Sequence, residues 1–142
     1  MLHSQQGSIY RVILACFIAL AFCFALSWPQ YVKHRNFHRL NQAAERGRAL
    51  AYAQGSYKQA HGKYTSQWGV LEVSLNCPLV SAAQGTQLDC GHYLYTLQPD
   101  DTIKIENKEF PVWLVVDIAQ GTVQCHHEPD DWAGQDLCEH LQ

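Results

Sequence analysis

The chain has 142 residues, of which 47% are hydrophobic, so it is long enough for one ordinary domain with an appendage and too apolar for a disordered polar tail. Charged residues make up only 16% and the formal net charge is −3, which argues against a nucleic-acid binder held by a general positive field. The charges are unevenly placed, because every acidic residue lies at or beyond Glu45 while seven Lys and Arg lie between residues 30 and 63.

The first element is an apolar run at residues 12–28, seventeen residues without a charge or a turn former. With Ile9 and Tyr10 it reaches about twenty residues, which is enough to cross a hydrocarbon core of roughly 30 Å. Two alternatives are a secretory signal cleaved after Ser27 and a lipoprotein signal ending at Cys16. The run is longer than the apolar region of an ordinary signal and continues well beyond Cys16, so a membrane-spanning helix is favoured.

A second helical pattern follows from Gln30 to about residue 62. The pattern predicts an apolar stripe that faces the rest of the chain, with Gly47 and Gly55 as weak points. A helix that begins at Ser8 and ends near Ala60 would be about 80 Å long, so its first half must insert into lipid or a partner. The simplest alternative is an ordinary membrane anchor with a spacer. The apolar residues of the stripe are Tyr31, Phe37, Leu40, Ala44, Ala51 and Tyr57.

The C-terminal part, residues 62–142, is predicted to be a globular head. Residues 62–92 indicate a loop with one short helix or strand, and the tail at residues 128–142 has too few apolar residues for a further strand. Four strand-like runs lie between them, and the short links predict antiparallel neighbours. The run at 112–118 is apolar almost throughout and is expected in the centre, whereas the run at 102–106 alternates and is expected to show one face to water. The fold class is therefore α+β, a long helix packed on a four-stranded antiparallel sheet. The four runs are residues 93–97, 102–106, 112–118 and 122–126.

The positions of the cysteines indicate the redox state of the compartment in which the head lies. Two lie inside the apolar run and are interpreted as small hydrophobic residues, whereas an even number in the head favours an oxidising compartment. The four head cysteines permit three connectivities; local pairing would close two loops, each worth about 3 kcal/mol. The positive-inside rule points the other way, since the basic residues after the apolar run would hold that side in the cytoplasm. The cysteines are Cys16 and Cys23 in the run and Cys77, Cys90, Cys125 and Cys138 in the head.

The N-terminal half resembles a known family. Gly7 stands before the apolar run, Pro29 follows it, and residues 61–65 read His-Gly-Lys-Tyr-Thr at the end of the polar helix. This arrangement resembles the type IV pilins and the pseudopilins of type II secretion. The resemblance implies that a prepilin peptidase cuts after Gly7, that Ser8 is the first mature residue, and that Pro29, the twenty-second, bends the helix.

The resemblance also implies an organisation. Residues 1–7 would be a leader, 8–29 a transmembrane and polymerisation helix, 30–61 an amphipathic continuation, and 62–142 the head. The chain would cross the inner membrane once with its head in the periplasm and then enter a pilus or pseudopilus. Its partners would be other pilin subunits, the inner membrane, the prepilin peptidase and the assembly machinery. The late pair Cys125 and Cys138 falls where many pilins close a C-terminal loop, and we predict local pairing for both head pairs.

Two positions depart from the family pattern. Pilins usually begin the mature chain with Phe and carry Glu at the fifth residue, where this chain has Ser8 and Val12, and Arg11 is a further difference. Without that acid, the N-terminal ammonium of a neighbouring subunit would find no counter-charge. The expected function is therefore a non-enzymatic minor or tip subunit of the filament. The alternative is a membrane-anchored periplasmic binding or accessory protein that does not polymerise.

The C-terminal residues include side chains that could support metal binding or nucleophilic chemistry. Cys125, His126, His127, Cys138 and His140 include donors that zinc prefers, but adjacent residues on a strand point to opposite faces, so a structural disulfide is favoured. A Cys-His nucleophile is disfavoured because a thiol in an oxidising compartment, with another well-spaced cysteine available, is more often disulfide-bonded.

Calcium is the weak alternative to having no cofactor. Asp130, Asp131 and Asp136 supply oxygen donors, and some pseudopilins bind calcium in this loop, but the twelve-residue hand pattern is absent and a solvated turn is favoured. Nucleic acid is an unlikely partner for the basic stretch, since anionic lipid is nearer.

Overall fold

The computed structural model describes residues 3–71, 76–80 and 84–141, with side chains from residue 9 onward. Residues up to Phe37 form one compact unit and residues from His38 onward form a second. The elements in chain order are α1 (His3–His61), a 3-10 turn (Trp68–Val70), β1 (Gln87–Asp89), β2 (Tyr93–Leu97), β3 (Thr102–Asn107), β4 (Val112–Asp117), β5 (Val123–His127) and α2 (Trp132–Glu139). The class is α+β, as the sequence predicted.

The sheet is antiparallel throughout and its strands follow chain order from β1 to β5. One row of paired residues crosses its inner face, since alternate side chains of a strand share a face. The members of this row in β1 to β4 are buried. The outward-facing neighbours are partly exposed, as the alternation in β3 predicted. The row consists of Leu88, Tyr95, Ile105, Leu114 and Cys125.

The part of α1 in the second unit packs on this inner face through one buried stripe. Its members recur at spacings of three and four, which places them on one side of a helix. Leu40, Ala44 and Ala51 of the predicted stripe are buried, whereas Tyr31 is 60% exposed. The helix continues through Gly47, where a weak point was expected. The stripe comprises Leu40, Ala43, Ala44, Gly47, Leu50, Ala51 and Gln54.

The sheet has five strands, and the prediction of four was wrong. β1 lies within residues 62–92, where a loop with one short helix or strand was predicted, and its three residues bury only Leu88, too little to give a recognisable alternation. It is held on one side by β2 and on the other by residues 78–80. There the Asp89 amide donates to the Pro78 carbonyl (2.9 Å), and the Val80 amide donates to the Gln87 carbonyl (3.0 Å).

With β1 present, β3 is the central strand, and the placement of residues 112–118 in the centre is corrected. β4 shows the same alternation as β3, with Val112, Leu114 and Val116 buried and Trp113 and Val115 partly exposed. The run at residues 112–118 is apolar on both faces of the strand, but only one of these faces is buried under the helix.

The C-terminal tail, for which no strand was predicted, contains α2. This eight-residue helix packs on β5, and Leu137 and Cys138 are buried. Gly134 lies close to the sheet, since a Cβ there would stand 2.8 Å from Cγ2 of Val112 and 2.9 Å from Cβ of His127. The helix was missed because its apolar face is short and interrupted by this glycine.

Candidate functional site

The candidate site is the apolar segment of α1 at residues 9–28. In the residues that the structure describes, α1 is the helix long and apolar enough to cross a membrane. Its large side chains lie outward; Phe17 and Phe22, for example, are each 66% exposed. Apolar surface of this extent is unfavourable in water, at roughly 25 cal/mol per Å². The segment therefore requires an apolar environment from outside its own unit.

Aromatic rings mark the C-terminal end of the apolar segment. The ring centroids of Phe24 and Trp28 are 5.6 Å apart, and those of Trp28 and Tyr31 are 6.3 Å apart. These side chains follow one another at helical spacings on one side of α1. Trp and Tyr are enriched where a membrane meets water, because their rings are apolar and their N–H and O–H groups are polar. The ring series is suited to that boundary.

The residues assigned to processing and bending all lie within α1. Gly7 and Ser8 belong to its first turns, and the side chain of Ser8 lies outside the described part. Pro29 lies inside the helix, which continues through it to His61. Cleavage after Gly7 and a bend at Pro29 stay predictions. At 1.5 Å per residue, Ser8 and Pro29 are separated by about 32 Å of helix, close to the thickness of a hydrocarbon core.

Two of the residues that differ from the pilin pattern lie on the exposed surface of the same segment. Val12 and Arg11 are both exposed, and no acidic residue occurs in the sequence before Glu45. An ammonium group placed beside Val12 would therefore find no carboxylate on this segment. Within an apolar medium, an unpaired ion costs several kcal/mol even after relaxation.

A buried tyrosine joins the sheet to the second part of α1. The Tyr95 hydroxyl donates to the carbonyl of Ala43 at 3.4 Å, and the side chain is fully buried. Burial raises the pKa of Tyr95 to about 12, since the phenolate would lose its hydration, while the Arg46 guanidinium opposes this effect. The pKa of Tyr93 is raised by burial as well. This contact fixes the helix over the sheet.

The end of α1 is held by a side chain that sequence analysis missed. The fully buried Gln54 donates through Nε2 to the Thr65 carbonyl (2.9 Å), and its Oε1 accepts from the Thr65 amide (3.0 Å). Gly62, with φ +79°, ends the helix between them, and its amide donates to the Lys58 carbonyl at 2.7 Å. A polar residue in an apolar stripe was the signal that could have identified Gln54.

Charged side chains connect the loops at one end of the sheet. Asp89 accepts from Lys108 at 2.6 Å and from the Gly91 amide at 3.0 Å, and these bonds, that of Lys108 foremost, lower the pKa of Asp89. Glu109 lies 2.7 Å from Nδ1 of His92 and 3.9 Å from Arg39 of α1. These pairs are partly exposed and contribute orientation more than stability.

Both pairs of head cysteines form local disulfides in the structure. Cys77 bonds Cys90, and Cys125 bonds Cys138, each across a sequence separation of 13. The Cys77–Cys90 bond links the segment before β1 to the residue that follows β1. The Cys125–Cys138 bond links β5 to α2. Cys16 and Cys23 are free and lie on the exposed surface of the apolar segment.

The residues weighed for metal binding do not converge. His126 stacks on Trp113 with centroids 5.8 Å apart, on the sheet face opposite to that of Cys125. Asp130 is exposed, and Oδ1 of Asp136 lies 3.8 Å from Nδ1 of His140. Asp131 precedes α2 at its N-cap position. Among the residues with a described position, no group of three or more His, Cys, Asp or Glu side chains is arranged to hold a metal ion.

Comparison of the chain with protein-family models, with curated proteins and with solved structures finds no match.

Proposed function

We propose that this chain is a structural, non-catalytic subunit of a bacterial filament of the type IV pilus or type II secretion class. It is held in the inner membrane before assembly, with the residues after the apolar segment in the periplasm. The observation that carries the proposal is the composition of α1. One 59-residue helix presents an exposed apolar surface in its first part and a stripe buried against a sheet in its second.

Two further features support this proposal. The register from Ser8 to Pro29 matches the mature N-terminal segment of the pilins that the sequence resembles. Two disulfides in the second unit fit an oxidising compartment such as the periplasm.

The missing acid at Val12 favours a minor or tip position. A subunit stacked above this one would bring its N-terminal ammonium to a segment without a carboxylate. The uppermost subunit has no such neighbour, and its own Ser8 ammonium can pair with an acid in the subunit below. We therefore expect one or few copies per filament.

Processing is the first experiment, because the alternative of a non-polymerising membrane-anchored accessory protein needs no cleavage at Gly7. Co-expression with a prepilin peptidase should give a mature chain that begins at Ser8 by intact-mass analysis. A Gly7→Val variant should keep Met1, whereas the control Gln6→Val should still be cleaved. A wild-type chain that keeps Met1, or one that begins at Trp28, would remove the basis for the filament.

Copy number is the second experiment. Purified filaments should contain this subunit at a small fraction of the major subunit, and Val12→Glu should raise that fraction because the carboxylate supplies the missing counter-charge. Val12→Leu is the control of similar size without charge. Near-equal copy numbers in the wild type would contradict a tip position.

A further inference from the structure

Three consecutive exposed residues follow the apolar segment: Lys33, His34 and Arg35. Successive residues of an α-helix are rotated by about 100°, so these three side chains point to three different sides of α1. We call them the cationic collar, since they surround the helix and do not line one face.

The position of the collar along α1 matches the thickness of a membrane. From Arg11 to Lys33 the helix rises about 33 Å, and a hydrocarbon core measures roughly 30 Å. When the segment crosses a membrane, Arg11 lies at one membrane surface and the collar lies at the other. Trp28 and Tyr31 then lie just inside the collar, at the depth where such rings accumulate.

The distribution of apolar and charged side chains identifies how the segment meets lipid. A helix that lies flat on a membrane has one apolar and one polar face. Here the apolar side chains of residues 12–28 are exposed around the whole helix, and the collar places cations on more than one side. This is the arrangement for a helix with lipid headgroups on all sides.

From this arrangement we infer that the collar binds the phosphate groups of anionic phospholipids in the leaflet on the C-terminal side of the span. The inference rests on the membrane anchoring in the proposed function and requires neither cleavage nor polymerisation. Each cation near an anionic membrane surface contributes about a fivefold preference. Lys33 and Arg35 carry the permanent charges and are expected to supply most of it.

The test uses Trp28 as a native reporter beside the collar. The full chain is reconstituted into vesicles that contain brominated phosphatidylglycerol or brominated phosphatidylcholine, and the bromine atoms quench nearby tryptophan. Subtracting a Trp28→Phe variant removes the signal of the other three tryptophans. We expect phosphatidylglycerol to be favoured over phosphatidylcholine by about fivefold or more at low salt, with a weaker preference at high salt.

The variant Lys33→Gln/Arg35→Gln should lose this preference while Trp28 stays quenched by both lipids, which shows that the segment is still inserted. Arg48→Gln/Lys63→Gln removes the same charges from exposed positions of the second unit and should keep the preference.

Equal quenching in the wild type, or an unchanged preference in the collar variant, would overturn the inference. Loss of quenching by both lipids would show that the apolar segment is not inserted in the bilayer, which would overturn the inference as well. If the chain is never cleaved at Gly7 but keeps its preference for phosphatidylglycerol, the filament proposal is contradicted and the lipid inference stands.

Discussion

Gly47 of α1 lies directly against Ile105 of β3: a Cβ at Gly47 would stand 2.6 Å from Cδ1 of Ile105. Cγ2 of Val116 would be 2.9 Å away. Ile105 and Val116 are fully buried and close-packed, so neither has free space to move into. The missing side chain at Gly47 thus lets the helix backbone approach the sheet.

Gly47→Ala should lower the free energy of unfolding of the second unit by up to about 2 kcal/mol, because overpacking costs about 1–3 kcal/mol and the higher helix propensity of alanine returns about 1 kcal/mol. Gly55→Ala is the matched control on the same helix, since nothing lies within 4 Å of its added Cβ. It should raise that free energy by about 0.5–1 kcal/mol. Denaturant unfolding of the micelle-embedded chain, followed by near-UV circular dichroism, measures both. Equal effects of the two variants would contradict the close approach.

Gln54→Leu should destabilise the end of α1 by about 1–3 kcal/mol, because the Thr65 amide and carbonyl lose their partners. Hydrogen exchange at the Thr65 amide should become faster at the same time. Gln42→Leu, at an exposed position of α1, is the control and should change neither quantity. Unchanged exchange at Thr65 in Gln54→Leu would show that the loop is held by other contacts.

The stability of the second unit should fall as pH rises from 10 to 12, because Tyr95 is neutral when folded up to about 12 and ionises near 10 when unfolded. Its contribution is complete below pH 10. Tyr95→Phe should remove this part of the pH dependence and lower stability slightly at pH 7, since the bond to Ala43 is lost. The exposed Tyr52→Phe should leave the profile unchanged, and a dependence due to Tyr93 should persist in both. An unaltered profile in Tyr95→Phe would refute the assignment.

Removing either disulfide by paired serine replacement should cost about 3 kcal/mol in the free energy of unfolding, from the entropy of the closed loop. Cys16→Ser/Cys23→Ser should leave the second unit unaffected, because both thiols are free and lie in the first unit. Non-reducing peptide mapping should recover Cys77 with Cys90 and Cys125 with Cys138. A peptide that joins Cys90 to Cys125 would contradict the connectivity.

Local patterns were sufficient to predict much of this fold. The strand-like runs at residues 93–97 and 102–106 predicted β2 and β3, and Gly62 marked the end of α1 within about two residues of the expected position. β1 escaped prediction because it depends on pairing with residues 78–80 more than on its own pattern. The roles of Gly47 and Gln54 were missed because they depend on contacts outside the helical pattern, with Ile105 of β3 and with Thr65 beyond the end of α1.

The same distinction holds for the candidate site, where the apolar segment could be predicted from local sequence and the cationic collar could not. The apolar composition of residues 12–28 identified the segment, since length and hydrophobicity alone decide whether a helix can cross a bilayer. The cationic collar needed the helix to be continuous to Lys33, because only then are the angles between side chains defined.

The pairing of residues 78–80 with β1 has a consequence for self-association. In the described part of the chain these residues lie at the edge of the sheet, where Pro78 lacks an N–H and the Cys77–Cys90 bond constrains the backbone. An incoming strand from a second molecule would find a short and interrupted template there. Strand addition is therefore disfavoured at this edge, which protects the sheet from edge-to-edge aggregation between molecules.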